Sequence, residues 1–152
     1  MADHRPEIHP DIHLVIASNQ LAVRHGLAQV LAAPCLCNLH AELRGRIEIV
    51  LAEVLNNIVE HAYAQQEGTI TLELSALPDG VSFRVLDNGS EMPGLTLPEG
   101  KLEPYDPDDL PEGGFGWFLI RSLTEDLCYT RHSDVNELRF QLQETIASQE
   151  EY

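Results

Sequence analysis

The stretch "EVLNNIVEHAY", Glu53–Tyr63, puts Glu53, Asn57 and His61 at every fourth position of a strongly apolar helical pattern. At about 100° per residue, Ile47, Val50, Leu51, Val54 and Ile58 gather around one direction, the face that seeks a core. Each step of four advances by about 40°, so Glu53, Asn57 and His61 run along one side of that stripe. That is the edge where a helix borders a cleft. Taken alone, such a row is also what a solvated flank with i,i+4 contacts looks like. Asparagine is a poor helix former, however, and Asn56-Asn57 in mid-pattern requires a reason other than propensity.

Working outward, "DIHLVIA" (11–17) alternates and is β-rich, which predicts a strand. Ser18 or Asn19 is placed to cap a helix reaching about Ala32. The central helix runs from about Leu39 to Gln65. "TITLELSA" (69–76) and "VSFRVLD" (81–87) predict two strands joined through "LPDG", a hairpin signal. An aperiodic, proline-rich stretch fills 90–112. "GWFLIRSLTEDL" (116–127) is an amphipathic helix, and "CYTRH" and "VNELRFQLQ" are two closing strands. The order is strand, two helices, hairpin, loop, helix, hairpin. It predicts an α+β fold: a two-layer α/β sandwich with a mostly antiparallel five-stranded sheet and helices on one face. No repeat or linker interrupts it. The expectation is one domain over 1–152, with an N-terminal extension (1–10) and a C-terminal tail (144–152).

Composition narrows the function. The chain has 152 residues and 43% apolar content, enough for a core. With 25 acidic and 9 basic residues the formal charge is −16, which argues against nucleic acid and anionic membrane as partners. "MADHRPEIHPDIH" contains no apolar signal-like run, and no run approaches the roughly 18 apolar residues of a span. Cys35, Cys37 and Cys128 are odd in number and read as free thiols in a reducing cytoplasm. Cys35-x-Cys37 lacks the second pair that a metal site needs.

Two further motifs bear on chemistry. "VLDNGS" places Asp87 at the end of an apolar strand, where a carboxylate accepts a hydrogen bond from an exocyclic amine. Gly89 lets the backbone approach a flat ring. "PEGGFGWFLI" opens a helix with Gly113-Gly114-x-Gly116, exposing successive backbone N–H groups and the positive dipole end, which favour phosphate. Each motif alone is a common turn or helix start.

In this order and spacing, the three resemble the N box, the Asp-x-Gly box and the Gly-x-Gly box of the GHKL, or histidine-kinase-like, ATP-binding superfamily. "EVLNNIVEHAY" and "EGGFGWFLIRSLTEDL" are most similar to one branch, the anti-sigma-factor serine kinases of bacterial partner-switching systems. The resemblance covers about residues 11–143. Sensor histidine kinases, gyrase and mismatch-repair ATPases carry dimerisation or transducer domains for which no room is expected here.

The resemblance implies a Bergerat-type ATP-binding fold, ATP and Mg²⁺ as cofactors, and cytoplasmic protein serine/threonine kinase activity. It implies Asn57 as the magnesium ligand, through a hard carboxamide oxygen. Glu53 is implied as the general base toward the attacking hydroxyl. Asp87 would hold the adenine amine, Gly89 would admit the ring, His61 would line the cleft, and Gly114 and Gly116 would cradle phosphates. The segment 90–112 would be the ATP lid; it carries seven acidic residues, five prolines and Lys101, the only lysine in the chain. Lys101 and Arg121 are candidate phosphate contacts. Where the superfamily commonly has a threonine on the last strand, this chain has Asn136 and Glu137. The implied partners are a STAS-domain antagonist as substrate, a sigma factor as output target, and a second copy in a homodimer. A non-catalytic nucleotide-binding docking module and a plain ATPase stand as alternatives.

Overall fold

The computed structural model describes residues 9–100 and 114–144. Lys101, Gly113 and the second half of the expected lid therefore lie outside the described residues, as do most of the expected extension and tail.

Strand β1 (Ile12–Ala17) is followed by α1 (Gln20–Leu31). Asn19 is the cap: its side chain accepts from the Ala22 N–H at 2.8 Å, while Ser18 Oγ accepts from Gly68 N–H. Helix α2 (Ala41–Asn57) continues into a π-helical turn, Ile58–Ala62. Strands β2 (Thr69–Leu77) and β3 (Gly80–Asp87) form the expected hairpin. Helix α3 (Gly114–Leu123) precedes β4 (Glu125–His132) and β5 (Val135–Gln143).

The five strands form one antiparallel sheet in the order β1-β2-β3-β5-β4. Side chains alternate across it. Ile70, Leu72, Leu74, Val81, Phe83, Val85, Leu138, Phe140 and Leu142 face the helices and are buried. The helices supply Leu43, Ile47, Val50, Leu51, Val54 and Leu55 from α2 and Ile120 from α3. Each such side chain contributes about 1.5–3 kcal/mol through burial. Phe83 and Phe140 stack at the centre with centroids 5.3 Å apart. On the other face Arg84 pairs with Glu73 and Glu137, and Arg139 pairs with Glu137.

Two boundaries differ from the sequence expectation. The central helix was expected to remain regular to about Gln65; it widens at Ile58, where Tyr63 N–H bonds to Ile58 O at 3.0 Å. The wider turn lets Tyr63 drop into the interior, 7% exposed, with its hydroxyl donating to Thr69 O. The third helix was expected to reach 127, but it ends at Leu123. Thr124 Oγ1 bonds back to Ile120 O, Asp126 takes a positive φ of 53°, and a bulge between Glu125 and Cys128 carries the chain into β4. Leu127 belongs to the strand alternation, although it also fits the helical period.

Candidate functional site

The end of α2, the ends of β3 and β5, the loop after β3 and the start of α3 enclose a cavity of about 570 Å³. Val54, Ile58, Leu97, Trp117 and Leu138 make its walls largely apolar. Asn57, His61 and Asp87 line it, so three of the residues singled out by sequence meet in one place. Such a concave apolar site with a few convergent polar groups is what a small-molecule site requires.

Asp87 ends β3 on the face toward the helices and is 6% exposed. Its Oδ1 accepts from Gly89 N–H at 2.9 Å and from Asn136 Nδ2 at 2.8 Å. Its Oδ2 takes no hydrogen bond among the described residues. Burial first of all pushes this carboxyl above the ordinary aspartate value; the bonds from Asn136 and Gly89 and the charge of Arg131 work against that rise.

Gly89 is explained by the chain itself. A Cβ there would come within 2.4 Å of Ala62 O, the carbonyl that accepts from Ser90 N–H at 2.8 Å. The loop after β3 is thus clamped to the π-helical turn, and Tyr63 completes the clamp by accepting from Asn88 N–H at 2.7 Å. His61 rides on that turn and is exposed at the cavity.

Glu53 and Asn57 lie one turn apart on α2, below the start of α3. A Cβ on Gly116 would come within 2.7 Å of Glu53 Oε2 and 3.7 Å of Asn57 Nδ2. That amide nitrogen is buried with no hydrogen-bond partner among the described residues. A half-turn of the carboxamide would put its oxygen there instead. Buried unpartnered polar ends are rare and call for an explanation, of which a ligand contact is one. Among the described residues no three His, Cys, Asp or Glu side chains converge on one point. A metal held here would therefore take most of its ligands from elsewhere. Gly114 begins α3, so its N–H belongs to the first turn beside Glu53 and Asn57.

Arg121 is not in the cavity wall. Its Nε donates to Pro98 O at 2.7 Å and its Nη2 to Leu97 O at 3.4 Å, so it holds the loop after β3 onto α3. Of the residues gathered around Asp87 and the cavity, sequence reading names Asn136 only as standing where a threonine is common, and does not single out Tyr129, Arg131 or Trp117. Asn136 carries one signal in the sequence: it shares parity with Leu138, Phe140 and Leu142, which makes it the inward-facing polar residue of a core strand. Tyr129 and Arg131 lie on an edge strand with no such mark.

Residues 17–142 match the model of a family described as the histidine kinase-like ATPase domain. The serine-protein kinase RsbW of Bacillus mycoides (strain KBAB4) is 36% identical over 85 residues, 53% of this chain and 52% of that protein. Proteins of the same name from Bacillus cereus strains G9842 and ATCC 10987 / NRS 248 are 34% and 35% identical over 85 residues, again 53% of this chain and 52% of theirs. The chain spans about half the length of the curated relatives it matches. Among the described residues no helix is long and apolar enough to cross a membrane.

Proposed function

Because the chain belongs to the histidine kinase-like ATPase domain family, we propose that it is an ATP- and magnesium-dependent protein serine/threonine kinase that acts as a switch. The observation that carries this reading is the set of groups brought together at the cavity. Asp87, with Oδ2 free of hydrogen bonds among the described residues, and Asn57, whose buried Nδ2 has no partner among them, both line it, and Glu53 lies one helical turn before Asn57 beside Gly116. The residues fit the ligand by chemistry. Asp87 accepts from an exocyclic amine, apolar walls take the ring, and a hard amide oxygen suits magnesium.

When bound, ATP with magnesium supplies the phosphoryl group and the positive charge that its transfer requires. Asp87 would hold the base, and Ile58 and Leu138 are among the apolar side chains of the same cavity. Asn57 would hold the metal from the protein side. The first turn of α3, from Gly114 through Gly116, would offer backbone N–H groups to phosphate, and the bare Gly116 leaves room for the Glu53 carboxylate. Glu53 would take the proton of the attacking serine or threonine hydroxyl as that oxygen bonds the γ-phosphorus, whose bond to the bridging oxygen breaks to release ADP. Lys101 is a further phosphate contact in this reading. His61 lines the cleft mouth.

The substrate is a STAS-domain antagonist protein and the output target a sigma factor, in a cytoplasmic partner switch with the kinase as a homodimer. The support is that the relatives are named serine-protein kinases, together with N-box and Gly-box residues that resemble the anti-sigma-factor branch.

The test is incubation with labelled ATP, magnesium and the STAS protein encoded nearby. Label on a serine or threonine of that protein is the expected result. Glu53→Gln should keep ATP affinity within about threefold and reduce transfer by roughly a hundred- to ten-thousandfold. Asn57→Ala should lower magnesium-dependent affinity and transfer together. Free phosphate without labelled protein would make it an ATPase. Stable docking without any transfer by the wild type would make it a binding module.

A further inference from the structure

Asn136 is 4% exposed, among Leu138, Phe140 and Leu142 on one side of β5. A carboxamide this buried must have partners. Its Nδ2 donates to Asp87 Oδ1 at 2.8 Å and to Ser90 O at 2.9 Å, with Gly89 O at 3.3 Å. Its Oδ1 accepts from the Tyr129 hydroxyl at 2.6 Å and from Arg131 Nη1 at 2.9 Å. Both N–H bonds and both lone pairs are thereby committed. The amide also has one orientation only. Turned round, its oxygen would face the Asp87 carboxylate and its NH₂ would face a guanidinium that accepts nothing.

We infer that Asn136 is the positioning residue of the base pocket. It ties down Asp87 Oδ1 so that Oδ2 alone faces the ligand, and through Tyr129 it joins that carboxylate to the backbone at Met92. This rests on the nucleotide reading above. The Tyr129 hydroxyl accepts from Met92 N–H at 3.0 Å, and Arg131 Nη1 donates to Gly89 O at 3.0 Å. Carboxylate, β4 and the start of the loop over the cavity therefore form one network.

The network has a consequence for specificity. Every polar atom of Asn136 is already used, so the end of β5 offers the ligand nothing directly. One acceptor, held in one place, selects a base with a donor opposite it. The adenine amine meets that demand. Hypoxanthine sets a carbonyl oxygen there, acceptor against acceptor. Discrimination between the two then depends on how firmly Asp87 is held. A loosely held carboxylate would rotate away from the wrong base and lose little.

The test uses the full chain. The Asp87 carboxyl is titrated by carbon-13 NMR without nucleotide; ATP and ITP binding are measured by calorimetry with magnesium; amide exchange is followed at Met92. The charged and titratable groups around Asp87 stay in place throughout: Arg131 from β4, Glu91 at 3.7 Å from Arg131, and Tyr63 from the end of α2. The wild type should prefer ATP over ITP by about tenfold or more. Asn136→Ala should move the Asp87 titration to higher pH and shrink the preference to within about threefold. Tyr129→Phe leaves the bond to Asp87 intact, so it should keep the preference while exchange at Met92 quickens. If Asn136→Ala does not fold, Asn136→Ser keeps one donor and carries the same comparison. A folded Asn136 variant with wild-type titration and wild-type preference makes the residue structural only and overturns the inference. If the wild type binds neither nucleotide, the kinase reading fails by itself. The nucleotide-free titration then still decides whether Asn136 holds the carboxylate.

Discussion

Glu53 on α2 and Gly116 on α3 approach so closely that a Cβ on the glycine would lie 2.7 Å from Glu53 Oε2. The group in the way is the far end of a flexible side chain, so the backbone can keep its path if the carboxylate moves. Gly116→Ala should therefore fold, with stability unchanged or raised by up to roughly 0.5–1 kcal/mol, since alanine favours a helix. Its phosphoryl transfer should fall steeply because Glu53 is displaced. Thermal unfolding beside a transfer assay separates the two effects. A destabilised variant with full transfer would show that the close approach is packing alone.

Gly89 presents the opposite case. Its missing Cβ is 2.4 Å from a backbone carbonyl, Ala62 O, which cannot swing aside without breaking the Ser90–Ala62 bond. Gly89→Ala should cost about 1–3 kcal/mol, the usual penalty of overpacking, and should loosen the π-helical turn that carries His61. Urea unfolding gives the cost. An unchanged midpoint would mean that the clamp between α2 and the loop yields easily.

Asp87 ties pH to both binding and folding. To accept from a base amine it must be ionised, and burial first of all raises its titration above the ordinary aspartate value. ATP affinity should therefore begin to fall on acidification while the pH is still above the ordinary aspartate range. Asp87→Asn should lower affinity roughly ten- to a hundredfold and remove that pH step. Folding has the opposite sign. A carboxyl raised in the folded chain favours the fold when protonated, so its contribution is fully present below the unfolded value. It is lost as the pH rises through the raised folded value. Calorimetric affinity and denaturant unfolding across pH, wild type against Asp87→Asn, check both signs.

The Tyr63 hydroxyl holds two backbone groups at once, Thr69 O and Asn88 N–H, each at 2.7 Å. Tyr63→Phe keeps the ring in the core and leaves both groups unpaired, which should cost about 1–3 kcal/mol. Exchange at the Asn88 amide should quicken more than at the centre of β3. Equal quickening everywhere would point to global loosening and not to a local clamp.

The sheet, the helices and their buried faces were legible in the sequence because they follow from short-range stereochemistry. Period-2 alternation places Leu72, Phe83 and Phe140 on one face of strands, and the helical period places Ile47, Val50, Leu51 and Val54 together. The same periodicity set Glu53, Asn57 and His61 along one edge of a helix. Tertiary structure decided what those edges meet. Asn136 holds Asp87 only because β5 pairs with β3 in a register that sets them opposite each other, 49 residues apart in the chain. No local pattern encodes that register. Gly89 serves the approach of Ala62, and Arg121 bonds the carbonyls of Leu97 and Pro98, because the loop after β3 folds back over the helices. Local rules count residues along one element; the partners of a side chain depend on how separate elements share a core, and that is settled by packing density and by the need of every buried polar group for a partner.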